Sequence, residues 1–184
     1  MKKCTHMATL PAVVLALLFL GGCGYTYKTH LPDHIRTVFV PKVQNAIDIT
    51  ASVSSSQEYQ PYRPGLEIEL KNALIERLVF DGHLKIAPAE ESSDAVLRLK
   101  LLRFERDPVR YRADDTIGEF RIQITASAQF VDRLSGETLW STESISGNDS
   151  YFLTGELAKS EDEAVAAALK DLVRHIVENV IEIW

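Results

Sequence analysis

The stretch Phe120-Arg-Ile-Gln-Ile-Thr-Ala-Ser-Ala-Gln-Phe-Val131 decides the fold. Phe120, Ile122, Ile124, Ala126, Ala128 and Phe130 fall on one side of a two-residue period; Arg121, Gln123, Thr125, Ser127 and Gln129 fall on the other. Successive side chains of a strand point to opposite faces, so the pattern predicts a strand with one buried and one wet face. Twelve residues at about 3.4 Å each make it about 40 Å long. Asp132 to Glu137 follows as a tight hairpin turn, with Gly136 supplying the positive φ, and Thr138 to Ser146 reads as the returning strand. Upstream, Ala95 to Phe104 alternates too: Ala95, Leu97, Leu99 and Leu101 point one way, Arg98 and Lys100 the other. Leu101-Leu102 breaks that alternation, and a β-bulge there restores the inward face. Asp107 to Gly118 reads as a charged connection.

Helices flank these strands. Pro64 to Phe80 carries Leu66, Leu70, Ala73, Leu74 and Leu78 on one helical face, with Pro64 placed as the first helical residue and Asp81-Gly82 as the stop. Near the end of the chain, Ser160-Glu-Asp-Glu163 is a capping box. The stripe Val165, Leu169, Leu172, Ile176, Val180 and Ile183 then predicts a long amphipathic helix. Ile35 to Val43 reads as a first strand, with Pro41 marking an end or an edge. Leu84 to Ala87 is a short strand. Ala46 to Arg63 is polar, with an alternating segment Ile47 to Val53 that suits a short edge strand and a loop after it. The expected fold class is α+β: a two-layer sandwich, two helices packed on one face of a mixed four- or five-stranded sheet.

The 184 residues suffice for one domain with an appended segment. Lys and Arg number 20 against 26 Asp and Glu, a net charge of −6. That balance argues against nucleic acid as a partner, because such binding needs a basic footprint. The appended segment is the start of the chain. Lys2 and Lys3 precede an apolar run of nine residues, Ala12 to Leu20. As a helix the run covers about 14 Å, too short for a bilayer core of about 30 Å, and has the form of a secretory signal. Leu20-Gly-Gly-Cys23 looks like a bacterial lipobox, which implies cleavage before Cys23 and acylation of its thiol. Gly24, in place of Asp, favours passage to the outer membrane by resemblance to enterobacterial sorting. The expected organisation is therefore a signal peptide over 1–22, a lipidated tether over 23–34, and one α+β domain over 35–184. Cys4 leaves with the signal, and the chain from Cys23 onward carries net charge −8.

The order of these pieces resembles the LptE family of lipopolysaccharide-assembly lipoproteins. The likeness rests on Cys23-Gly-Tyr25, Ile35-Arg-Thr-Val-Phe-Val-Pro41, Asn45, Pro64-Gly-Leu-Glu67, Asp81-Gly82 and Ser93-Asp-Ala-Val-Leu97. It continues through Phe120-Arg-Ile122, the segment Val131 to Trp140, Tyr151 and the last helix. The resemblance implies a non-catalytic protein of the outer membrane, facing the periplasm or seated inside a barrel lumen. It implies an LptD-like β-barrel and lipopolysaccharide as partners, with this chain as plug and folding partner. Domains of the TolB N-terminal or CsgG type share a similar order of elements. An adaptor subunit of another envelope assembly or secretion complex is therefore the alternative.

No catalytic motif accompanies this pattern. There is no G-x-S-x-G elbow, no P-loop and no H-E-x-x-H; an enzyme is not expected, nor a cofactor. His30 and His34 have metal-like spacing, but Pro32 interrupts any helix between them, and both read as tether residues. Asp114-Asp115 reads as a solvated turn. One cluster stands out. Arg98, Lys100, Arg103, Arg106, Arg110 and Arg112 lie among only two acids, Glu105 and Asp107. Arg98, Lys100 and Arg103, with Arg121 on the neighbouring strand, are the candidate contacts to lipopolysaccharide phosphate or to a barrel wall, since guanidinium groups pair well with phosphate.

Overall fold

The computed structural model describes residues 31–47 and 63–182. Its elements are β1 (Thr37–Phe39), β2 (Gln44–Asn45), α1 (Leu66–Asp81), β3 (Lys85–Ile86), β4 (Ala95–Tyr111), β5 (Ile117–Asp132), β6 (Thr138–Phe152) and α2 (Glu161–Glu182). The signal peptide, Cys23, His30, Ile183 and nearly all of the expected 46–63 loop lie outside the described residues.

The sheet runs β3-β1-β4-β5-β6, and β2 also pairs with β4. β1 is parallel to β3 and β4, whereas β4, β5 and β6 form an antiparallel meander. Both helices pack on the same layer, so the two-layer α+β sandwich holds. Five strands form the continuous path and the two-residue β2 adds a sixth.

The expected strand 35–43 is shortened to Thr37–Phe39. Pro41 has no N–H for a ladder, so pairing stops at Phe39 and resumes at Gln44. Ile35, Val38, Val40 and Val43 are nevertheless all buried. The expected charged connection 107–118 is a larger correction. β4 continues to Tyr111 and β5 begins at Ile117, leaving a five-residue turn in which Asp115 adopts φ 61°. Pro108 is accommodated beside a register shift between Pro108 and Arg110. β6 likewise outlasts its expected end at Ser146 by six residues.

The bulge at Leu101-Leu102 is present. Leu101 faces Ala126 and Arg103 faces Thr125, so Leu102 is the extra residue. Phe104 thereby returns to the covered face, 4% exposed. That face also buries Leu97, Leu99, Leu101, Ile122, Ile124, Ala126 and Phe130.

α1 contributes Leu66, Leu70, Leu74 and Leu78, one per turn and all fully buried. Pro64 stands outside this helix; the cap is Gly65 at φ 88°, and Gly82 ends the helix with its N–H on the Leu78 carbonyl. At the start of α2 the capping box is complete, with the Glu163 N–H donating to Ser160 Oγ and the Ser160 N–H donating to the Glu163 carboxylate. α2 lies along β5 and β6, and Gly147 lets the helix backbone approach the sheet closely.

Candidate functional site

Only one side of the sheet carries helices among the described residues. The other side is a polar surface built by the register of β4, β5 and β6. Arg98 stands opposite Gln129, which stands opposite Ser141. Lys100 faces Ser127; Arg103 faces Thr125 and then Ser146. Asp107 faces Arg121 and then Ser150. Residues directly opposite share a face, so these rows form bands of charge, amide and hydroxyl across the open side, although Thr125 in the Arg103 row is itself only 1% exposed. At about 3.4 Å per residue, the bands from Gln129 to Arg121 of β5 extend over about 27 Å.

The basic cluster is divided by the bulge. Arg98, Lys100 and Arg103 are exposed on the open face, as is Arg121. Arg98 is held by Glu90 at 2.9 Å. Arg106 goes to the other side: it pairs with Glu161 of α2 at 2.8 Å and lies 4.8 Å from the Phe120 ring centroid. Tyr151 donates its hydroxyl to the same Glu161 oxygen at 3.1 Å. Burial, and next the Glu161 charge, raise the Tyr151 phenol. Arg110 pairs with Glu119 at 3.4 Å, and Arg112 reaches Thr154 at the distal turn.

A trough of about 440 Å³ crosses the open face near the β2 side. Lys42 and Gln44 form one wall, Ser141, Thr142 and Glu143 the other, and Arg98, Lys100, Ser127 and Gln129 reach its floor. Lys42, Gln44 and the β6 wall carry no sequence signal of their own; only the fold brings them to Arg98 and Lys100. A second groove of about 540 Å³ lies in the helical layer between Ala73, Phe80 and Val173, with Arg77 stacked 5.6 Å from the Phe80 ring centroid.

The end of the domain that receives the tether is fastened by carboxylates. Asp132 accepts hydrogen bonds from Ser135 Oγ and the Leu134 N–H, both at 2.8 Å, and lies 3.1 Å from His34 Nε2. These contacts, Ser135 first, hold its carboxyl at about 2. Asp94 accepts from the Thr37 hydroxyl and from two backbone N–H groups, which lowers it as well. His34, expected as a plain tether residue, is thus part of the joint between the incoming chain and the β5–β6 turn. His175 is placed with its Nδ1 on the Ser146 carbonyl at 3.0 Å. No group of three or more metal-ligating side chains occurs among the described residues, and no described helix is long and apolar enough to cross a membrane.

The arrangement defines a class of protein: a two-layer α+β domain whose sheet is helix-covered on one side and presents a largely polar face on the other. The LptE family model, described as lipopolysaccharide-assembly, matches residues 35–180. The chain belongs to the LptE family. No match to a curated protein was found. Among solved structures, the fold is similar to that of protein XCC0632 from Xanthomonas campestris, at 16% identity and TM-score 0.52, covering 82% of this chain and 84% of that one. Two further similarities are at lower scores. Lipoprotein B from Nitrosomonas europaea has 17% identity and TM-score 0.47, covering 78% and 84% of the two chains. A PelC dodecamer subunit from Paraburkholderia phytofirmans has 12% identity and TM-score 0.47, covering 82% and 89%.

Proposed function

We propose that this chain is an outer-membrane lipoprotein, anchored through acylated Cys23, that assists lipopolysaccharide transport and assembly by binding. In this reading it is the plug and folding partner of an LptD-like β-barrel. The observation that carries it, beyond family membership, is the open face of β4–β6. A sheet side left without a layer is stable in water only when its rows are polar, and from Arg98 to Asp107 they carry charged, amide and hydroxyl side chains. Barrel lumens are polar as well, so the bands of Gln, Ser, Thr and Arg match the chemistry of a lumen wall. Arg103 and Arg121 lie on the part of that face beyond the trough and are the proposed wall contacts. A single acyl chain anchors only marginally, so lasting attachment requires further acylation at Cys23 or the barrel itself.

Purification of the lipidated full chain from membranes tests this. A large β-barrel is expected to co-purify, and Cys23→Ala is expected to move the protein out of the membrane fraction. Recovery with an inner-membrane or secretion complex would instead favour the adaptor reading, and an unmodified amino terminus by mass spectrometry would remove the anchor.

A further inference from the structure

We propose that the outward face of α1 is a self-association seam, which pairs in parallel with α1 of a second copy of this chain as a short two-stranded coiled coil. α1 carries two apolar lines. Leu66, Leu70, Leu74 and Leu78 face the core. Ile68, Ile75 and Val79 form a second line, roughly 140° around the helix at 3.6 residues per turn. A helix with one buried face is polar on that side, yet Ile68 is 58% and Val79 64% exposed, and Ile75 is only partly buried. Exposed Asn72 stands between them. Ile68, Asn72, Ile75 and Val79 follow one another at spacings of four, three and four, the d-a-d-a beat of a coiled-coil seam. Single exposed apolar residues are ordinary on a surface, whereas this spacing is that of a row of knobs awaiting holes.

The polar residues of the seam point to a copy of the same chain as the occupant. Asn72 takes an a position, where a parallel two-fold pair sets it against its own copy and the two amides can donate to and accept from each other. Lys71 and Glu76 take the flanking g and e positions. In a parallel pair g of one helix meets e of the next heptad of the other, so Lys71 of each copy faces Glu76 of the other. Neither has an ion-pair partner among the described residues, whereas Glu69, the other e residue, is held by Arg63 at 3.4 Å. An antiparallel pair would set e against e and g against g, Glu against Glu and Lys against Lys, so the charges select the parallel arrangement.

The direction of α1 agrees with this. The helix begins where Arg63 pairs with Asp162 and ends beside β3, whose Lys85 stands opposite Thr37, next to the incoming tether. A parallel pair therefore brings both tethers to one end, and two copies anchored to one membrane meet without either turning over. That agreement rests on the anchor proposed above; the seam itself does not. The open faces of β4–β6 lie on the far side of the sheet and stay free. The seam spans about 17 Å at 1.5 Å per residue, shorter than the roughly three or four heptads of a free coiled coil. Here the domain already holds the helix folded, so pairing carries no nucleation cost, and a shared membrane raises the local concentration.

The test uses the full chain in its membranes, with Asn72→Cys, because the two-fold sets position 72 against itself at a distance a disulfide can close. Mild oxidation is expected to give a linked species of twice the mass. Ala166→Cys on α2 and Ser141→Cys on the open face are expected to give none, and the parent chain treated alike accounts for Cys23. Sedimentation equilibrium of the purified full chain in detergent then reads the strength of pairing. Lys71→Glu is expected to weaken it by about three- to tenfold, and Lys71→Glu with Glu76→Lys to restore it to within about twofold. Asn72→Leu is expected to tighten it by about tenfold or more, since a polar residue at a costs stability. Circular dichroism establishes that each variant is folded. A monomer at every concentration, position 72 linked only to a different protein, linkage at 166 or 141 as ready as at 72, or a charge exchange that fails to restore pairing would each overturn the proposal. Pairing by a chain whose Cys23 proves unacylated supports the seam and refutes only the anchor.

Discussion

Gly147 sits in the middle of β6 and is glycine for space. Its φ is outside the left-handed region, so conformation alone would admit alanine. A Cβ placed there would stand 2.2 Å from the Leu172 nitrogen, 2.3 Å from the Ala168 carbonyl oxygen and 2.6 Å from Leu172 Cα. All three are helix backbone, which cannot rotate away as a side chain can. Ordinary non-bonded contact lies at about 3.5 Å, so α2 would have to retreat by about 1 Å, and a gap of that size forfeits a quarter to a half of each dispersion contact it opens. Ten apolar residues of α2 are buried in this interface, from Ala164 to Ile181. The retreat would also stretch the bond from the Asn148 N–H to Asp171, 3.1 Å, and that between His175 and the Ser146 carbonyl, 3.0 Å. Overpacking commonly costs about 1–3 kcal/mol, and a backbone obstacle places Gly147→Ala at about 3 kcal/mol. For a domain of this size that is a fall in Tm of about 6–12 °C. Urea denaturation of the chain from Cys23 onward reads the free energy, with an unchanged m-value expected. Gly118→Ala is the control, because its Cβ would meet Arg112 Cγ, part of a flexible side chain, at 3.3 Å, and the Arg110 carbonyl oxygen and Arg112 Nε only at an ordinary contact distance of 3.6 Å. It should change stability by no more than about 0.5 kcal/mol. If Gly147→Ala also falls within about 0.5 kcal/mol, the close packing of α2 on β6 is wrong.

Two further perturbations test the joints of the domain. The Asp132 carboxyl is held at about 2, below its ordinary 3.8, so its stabilising contribution is present above about pH 4 and is lost as the pH falls toward 2. Asp132→Asn is therefore expected to be less stable than the parent at pH 7, with the gap closing between pH 4 and 2 in urea titrations; a gap independent of pH would refute the assignment. Arg106→Ala removes both the Glu161 pair and the cover over Phe120, and is expected to cost about 1–3 kcal/mol. Combined with Glu161→Gln, the two losses should fall short of their sum by at least about 0.5 kcal/mol, whereas strict additivity would mean that the pair is not coupled.

Much of the covered side was legible because burial writes a period into the residues. Phe120 to Val131 alternates cleanly since its strand has core on one side and water on the other. The doubled Leu101-Leu102 signals a bulge because only an extra residue restores Phe104 to the core. The distal parts of β4 and β6 were not legible for the converse reason. Beyond the bulge β4 is largely solvated on both faces, so Glu105, Asp107 and Arg110 lose the apolar beat and resemble a loop. Gly147-Asn-Asp-Ser150 has the composition of a turn, yet its glycine answers to a helix lying across it. The trough was half legible. Arg98 and Lys100 follow from alternation, whereas Lys42 and Gln44 arrive by a parallel pairing that no local pattern announces. Arg106 was grouped with the exposed bases because neighbours in sequence look like neighbours in space, but the bulge sends it to Glu161.

The division of labour between the two sheet faces explains where binding residues can accumulate in this fold. On the covered face, substitutions answer to packing, since buried methylenes are worth about 0.8 kcal/mol each and cavities cost more. On the open face, a change of one polar side chain for another alters stability by no more than about 0.5 kcal/mol. Lysines 42 and 100, left without ion-pair partners among the described residues, are therefore tolerated there at little cost. The same freedom does not extend to apolar residues, because an exposed sheet side that lost its polar rows would become a patch for aggregation. Polar, varied and structurally undemanding, the open face is where affinity for an anionic ligand or a polar wall can be changed without disturbing the core, while the His34–Asp132 joint and the close-packed α2 hold the domain that presents it.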